Sequence, residues 1–350
     1  MGKPTMVLIA AAVLAAGAAG VGVALMLSRG DVTGEPPPVT ASITGSGSTA
    51  QKGAMDAWRA EFQRLHPMLR VRYRANGSSA GIADFVAGRT AFAGSDVPMN
   101  AGEQRRADRR CGGRAEHLPM VVGPVAIVYN LPSVPDLQLS PATLTGLLTG
   151  RITRWDAPQL AADNPGRRLP DAAVRVFHRS DGSGTTHNLT AYLRATGRWP
   201  HRPDTRWTGA GRGVAGSGGI TQAVQHTRDS LGYVEYGFAG SARLSTARLR
   251  NAAGRYAALS PESASAAVRG ARVGRDLVVT AGYAARVPEA YPLVMVTYEI
   301  ACAAEPDPVV RSFLSYTAGD AGQSYLSLYG YAPLPEPLLA RVRARLNVTD

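Results

Sequence analysis

Lysine is nearly absent from this chain. Of 38 basic residues only Lys3 and Lys52 are lysine, so the rest are arginine. Cysteine is scarce too: Cys111 and Cys302 are the only two, too few for a disulfide scaffold or a tetrahedral thiolate metal site. Long apolar stretches are limited to one, residues 6–27, which excludes a polytopic permease. Aromatics are 7% of the chain and show no interleaving with a basic stripe. No phosphate-binding P-loop occurs, so the chain does not itself hydrolyse ATP. What is present is a 350-residue chain with 45% hydrophobic and 18% charged residues, which excludes global disorder and suggests about two globular units. The formal charge of +12 raises nucleic acid as a partner. The arginines are dispersed, apart from a small group at Arg105, Arg106, Arg109 and Arg110, and no nucleic-acid motif accompanies them. A solvated arginine surface is the better reading.

The N-terminus reports the compartment. Lys3 precedes 22 uncharged residues, MVLIAAAVLAAGAAGVGVALML, long enough to cross a bilayer core as a helix. The run exceeds a typical signal-peptide core, yet its Ala and Gly content makes it only mildly apolar. A cleaved signal and an uncleaved membrane anchor both remain open over residues 1–27. Either way Lys3 stays inside and the remainder is exported. No cysteine follows the run to carry a lipid anchor. Residues 28–40, with Pro36, Pro37 and Pro38, read as an extended linker. In an exported protein Cys111 and Cys302 can bridge, and paired and free states both stay open.

Beyond the linker, short apolar runs alternate with helical patterns. Strands are expected at residues 71–73, 121–129 and 174–177, where β-branched and aromatic residues concentrate. Helices are expected at 54–65, 82–87, 140–148, 188–194, 219–227 and 338–346. Alternation of this kind predicts an α/β fold with largely parallel sheet.

Three Gly/Ser/Thr loops lie at strand-to-helix junctions: TGSGSTA at 44–50, NGSSAG at 76–81 and RSDGSGTT at 179–186. Helix N-termini offer unpaired N–H groups and the positive end of the dipole, and small residues let that backbone approach an oxyanion. Three such loops converging would form an anion pocket. Arg179 can fork onto an oxyanion and onto Asp181. Asp96 would repel a bare anion but accept a proton from one that carries it, as hydrogen phosphate does and sulfate does not. The plainer alternative makes Thr49, Ser78 or Thr185 a helix N-cap and Asp96 a turn residue before Pro98.

These motifs, with FAGSDVP at 92–98, LGYVEYGFA at 231–239 and the YP…Y of Tyr291, Pro292 and Tyr298, stand in a familiar order and spacing. Over about residues 41–350 the chain resembles the phosphate-binding proteins of phosphate ABC transporters. The resemblance implies a two-lobed periplasmic-binding-protein fold of type II, hinged over a ligand cleft. Lobe one would be 41–121 plus 293–350, lobe two 122–292, and a Cys111–Cys302 bridge would lie within lobe one or near the hinge. It implies phosphate contacts from Thr49, the backbone of Ala50, Ser78, Asp96, Arg179, Ser183, Gly184 and Thr185, with Asp181 orienting Arg179. No cofactor is implied, and membrane permease subunits are the implied partner. One departure is Ala50, where the family often carries a bulky aromatic. A tethered phosphate sensor or scavenger without a transporter is the alternative function.

Two enzyme patterns are weaker. Gly77-Ser78-Ser79-Ala80-Gly81 matches the nucleophile-elbow spacing, which would make Ser79 a hydrolase nucleophile served by one of His117, His178, His187, His201 or His226. No triad context or HGGG-type loop supports it, and these histidines read as surface or cap residues, with His178 beside the pocket. Gly45 to Ala50 matches the loose dinucleotide fingerprint, but the expected acidic residue after a second strand is missing.

Overall fold

The computed structural model describes residues 39–268 and 271–348. The apolar leader and the three linker prolines lie outside the described residues.

A nine-stranded mixed sheet organises the fold. Its strands are β1 (Ala41–Gly47), β2 (Leu69–Ala75), β3 (Phe92–Ser95), β4 (Ala115–Asn130), β5 (Arg175–Arg179), β6 (Arg212–Val214), β7 (Ser230–Glu235), β8 (Ser245–Thr246) and β9 (Val294–Cys302). The order is β2-β1-β3-β9-β4-β7-β5-β6, with β8 also on β4. The outer thirds are parallel, as the alternating pattern predicts. The middle is not: β9 runs antiparallel to β3 and β4, and β4 antiparallel to β7. These two long strands carry the chain between the parallel thirds.

β4 makes that passage visible. Residues up to Pro124 pair with β9, and Val125 onward pair with β7. Proline is normally excluded from a central strand because it has no N–H to give the ladder. Here Pro119 sits at the register shift opposite Thr297/Tyr298, and Pro124 sits where β4 changes partner. Two buried clusters flank this changeover. One gathers Trp58, Phe62, Phe92, Met120 and Phe313. The other gathers Tyr129, Trp155, Phe177, Tyr192 and Trp199.

The helices that matter for the site are α1 (Lys52–Leu65), α2 (Ser78–Val86), α3 (Ala101–Cys111), α4 (Pro141–Leu148), α5 (Gly184–Thr196), α6 (Gly216–Gln225), α7 (Tyr236–Ser241), α8 (Pro308–Ala318) and α9 (Glu336–Leu346). In α1, Ala54, Met55, Trp58 and Phe62 fall on one face and are buried, and Phe62 meets Phe313 of α8 edge-on at 5.3 Å. Asn100 and Glu103 form a capping box on α3, and Ser140 caps α4 ahead of Pro141. Cys111, at the end of α3, is disulfide-bonded to Cys302 at the end of β9.

Three helices begin earlier than their apolar periodicity suggests. α2 starts at Ser78 rather than 82, α5 at Gly184 rather than 188, and α6 at Gly216 rather than 219. Gly, Ser and Thr are weak helix formers, so their first turns read as loop. The loop motifs are therefore partly first turns, and their N–H groups already point along a helix axis.

Candidate anion-binding site

Four helix N-termini meet at the carboxyl ends of the parallel strands. β1 delivers Ser48, Thr49 and Ala50 ahead of α1, β2 leads to Ser78 at the start of α2, β5 ends in Arg179 ahead of α5, and β6 leads to α6. Ser78 Oγ accepts from Gly184 N at 3.2 Å, so the first turns of α2 and α5 touch. Thr49 Oγ1 lies 2.9 Å from Ser217 Oγ and accepts from Ser217 N at 3.3 Å, which joins the α1 loop to α6. Ala50 N donates to Ser48 Oγ at 3.1 Å. Gly184 is required by the close approach, because a Cβ there would fall 2.6 Å from Asp96 Cβ and 2.7 Å from Ser78 Oγ.

The N-cap alternative does not hold. The caps of α1 and α2 are Gln51 and Gly77, neither with a side-chain bond, and the cap of α5 is Ser183, which accepts from Thr186 N at 3.2 Å. Thr49 and Ser78 spend their hydroxyls across the site instead. Thr185 Oγ1 is buried with no hydrogen-bond partner among the described residues.

Arg179 is buried, with its side chain 2% exposed. Its Nε donates to Asp181 Oδ1 at 2.7 Å and its terminal nitrogen pairs with Asp181 Oδ2. The third nitrogen lies 3.5 Å from Ser217 Oγ, facing the meeting point of the helices. Asp181 also accepts from Gly216 N at 2.9 Å. Burial raises the Asp181 pKa, but the Arg179 hydrogen bonds and charge outweigh it and hold the carboxyl below its usual range. Tyr233, from the LGYVEYGFA motif, accepts from Arg179 N at 3.1 Å and fixes the end of β5.

Asp96 is 3% exposed and ringed by hydroxyls. Ser48 donates to Oδ1 at 2.6 Å, Thr297 to the same oxygen at 2.8 Å, and Ser78 to Oδ2 at 3.3 Å. Burial pushes its pKa up, while those hydroxyls and the Arg179 charge pull against it. Asn188 Nδ2, from α5, bonds the Asp96 carbonyl at 2.7 Å.

All of Thr49, Ala50, Ser78, Asp96, Arg179, Ser183, Gly184 and Thr185 are thus gathered in one neighbourhood, with Asp181 behind Arg179. Sequence reasoning missed Ser48, Asn188, Ser217 and Thr297. For Ser217 the signal was there, since AGSGGI at 215–220 is a fourth Gly/Ser stretch between a strand and a helix. Ser79 Oγ bonds Thr205 Oγ1 at 3.0 Å, a hydroxyl pair rather than the nucleophile–imidazole pair of a hydrolase. His117 departs from its surface reading. It is buried on β4, where Nε2 accepts from Met99 N at 2.9 Å, and burial lowers its pKa to about 4. His178 stacks on Trp207 at 5.3 Å.

Comparison with known proteins decides the family. A PBP superfamily domain model matches residues 32–321. Phosphate-binding protein PstS 3 of Mycobacterium tuberculosis is 39% identical over 319 residues, covering 87% of this chain and 86% of that protein. The chain belongs to the PstS family of phosphate-binding proteins. PstS of Xylella fastidiosa is 30% identical over 315 residues, covering 86% of this chain and 84% of its own length. Among solved structures, the phosphate-bound periplasmic protein PfluDING superposes with a TM-score of 0.72 at 23% identity, covering 87% of this chain and 93% of that one. A likeness at that identity establishes the fold, which is the mixed α/β periplasmic-binding-protein architecture. The PstS relatives are binding proteins by name. No helix among the described residues is long and apolar enough to cross a membrane.

Proposed function

We propose that this PstS-family chain captures inorganic phosphate outside the cytoplasm and delivers it to the permease subunits of a phosphate ABC transporter. It does so as a binder without catalysis. The observation that carries the reading is the meeting of four helix N-termini around the buried Arg179 and Asp96. The bonds that cross the site join hydroxyl to hydroxyl at Thr49–Ser217 and amide to hydroxyl at Gly184–Ser78. Phosphate oxygens would take over those donors, together with the Ala50 N–H, the Thr185 hydroxyl and the Arg179 nitrogen that faces Ser217. The O–H of hydrogen phosphate would donate a hydrogen bond to Asp96.

The two buried clusters either side of the Pro124 changeover support two lobes, near 41–121 plus 293–350 and 122–292, except that Ala264, Val268 and Leu277 are buried with the first. Closure about β4 and β9 would bring the donors of α5 and α6 onto those of α1 and α2. Residues 6–27 would serve as the export signal or tether. Equilibrium dialysis of the exported protein with radiolabelled phosphate should retain label against excess sulfate. Displacement by sulfate, or no retention, overturns the reading. Deleting the gene should abolish high-affinity phosphate uptake by the cell; unchanged uptake would favour the sensor or scavenger.

A further inference from the structure

The loop that presents Thr49 and Ala50 is held from behind by two tyrosines. Tyr73 Oη donates to Ser48 O at 3.1 Å, and Tyr331 Oη donates to Ala50 O at 2.7 Å. Gln51 Nε2 in turn donates to Tyr73 Oη at 2.9 Å. That bond leaves Gln51 Oε1 buried with no partner among the described residues. Glu299 of β9 is fully buried, and neither of its carboxyl oxygens has a partner there either. Its polar neighbour is the Gln51 amide. The cluster is packed closed: Glu299 stands opposite Gly94 across the β9–β3 pairing, and a Cβ at Gly94 would overlap Gln51 Nε2 and Tyr73 Oη.

The directions of these bonds point to one arrangement. Tyr73 has one proton, and it goes to the Ser48 carbonyl. Gln51 then gives one Nε2 hydrogen to Tyr73, and its single acceptor, Oε1, is left without a donor beside Glu299. Two acceptors facing each other in a dry site repel, and one proton between them satisfies both. An ionised carboxylate there would add a bare buried charge beside Asp96, the charge that bears on it.

We propose that Glu299 is a positioning residue carried as a neutral carboxylic acid. Its O–H donates to Gln51 Oε1, and the ordered chain Glu299, Gln51, Tyr73, Ser48 carbonyl fixes the loop that offers Thr49 and Ala50 to the anion. Burial pushes the Glu299 carboxyl well above the usual range, with the Gln51 amide pulling against it and the Asp96 charge adding to it, and burial likewise raises Tyr73. The sequence marks Glu299 only as an acid in the apolar run VMVTYEI.

The loop-holding role rests on the phosphate reading, whereas the protonation state does not, and the test separates them. An infrared difference spectrum between wild type and Glu299→Gln, without phosphate at pH 7, should show loss of the carbonyl band of a protonated, poorly solvated carboxylic acid. Loss of carboxylate bands instead would mean the Gln51 amide is turned the other way and would overturn the proposal. In phosphate titrations, Glu299→Gln keeps a donor for Gln51 Oε1 and should bind within about threefold of wild type. Glu299→Leu lacks it and should bind about tenfold or more weakly, and Tyr73→Phe should add little on top because it breaks the same chain. Wild-type affinity in Glu299→Leu would overturn the role. If that variant does not fold, the Glu299→Gln spectrum still decides. A wild type that fails to bind phosphate would remove the proposed function and leave the infrared result standing.

Discussion

On the proposed reading, Asp96 selects the ligand at the residue scale. A carboxylate among so many donors is unfavourable for any anion that brings no proton, and favourable for one that does. Asp96→Asn replaces that acceptor with a group that can also donate. Its preference for phosphate over sulfate should fall at least about tenfold in competition titrations, the scale of one charged hydrogen bond; an unchanged ratio would show that selectivity lies elsewhere. His117 gives a separate, stability-linked test. Its folded pKa, depressed by burial to about 4, lies below the ordinary 6.5. The unfolded chain therefore takes the proton first as pH falls. The stability His117 contributes is present above about pH 6.5 and is lost as pH drops toward 4. Between pH 7 and pH 5 this amounts to about 2 kcal/mol. His117→Gln, which can still accept from Met99 N, should flatten the acid limb of the urea-midpoint curve by that amount.

On the proposed reading, first turns carry the ligand contacts at the element scale. Ser78, Gly184 and Ser217 sit inside helices rather than before them, and their N–H groups are aimed by the helix axes. Gly184→Ala makes the point quantitative. In an ordinary helix the change favours folding by roughly 0.5–1 kcal/mol. Here the added Cβ would crowd Asp96 and Ser78, so phosphate affinity should fall about tenfold or more and the helix gain should not appear as a higher melting temperature of the unliganded protein. A variant that binds like wild type would mean α2 and α5 need not touch. Much of this was legible in the sequence. The alternating apolar runs located β2, β4 and α1, and the Gly/Ser motifs located the convergent loops. The starts of α2, α5 and α6 were hidden because Gly and Ser carry no apolar periodicity. The antiparallel middle of the sheet was hidden because β4 and β9, buried on both faces, read like parallel core strands. Thr297 and Glu299 were hidden for the same reason, as single polar residues in such a strand.

Two features act at the scale of the whole molecule. The Cys111–Cys302 bond joins residues 191 apart in sequence and ties α3 to β9. In the chain-entropy account a loop of that size is worth about 5 kcal/mol. Replacing both cysteines by serine should lower the melting temperature by roughly 8 °C while leaving phosphate binding in place; an unchanged melting temperature would assign the bond no stabilising role. The +12 charge is the second feature. Arg179 is the arginine at the proposed site, and the other contacts there are N–H groups, hydroxyls and one carboxyl. On the proposed reading the surplus arginine would gather anions rather than sort them. The sorting is the central claim, and calorimetric titration of the exported protein with phosphate and with sulfate at neutral pH tests it most directly. The account predicts tight one-to-one phosphate binding with sulfate at least about a thousandfold weaker. Absent phosphate binding, or sulfate bound equally well, would contradict it.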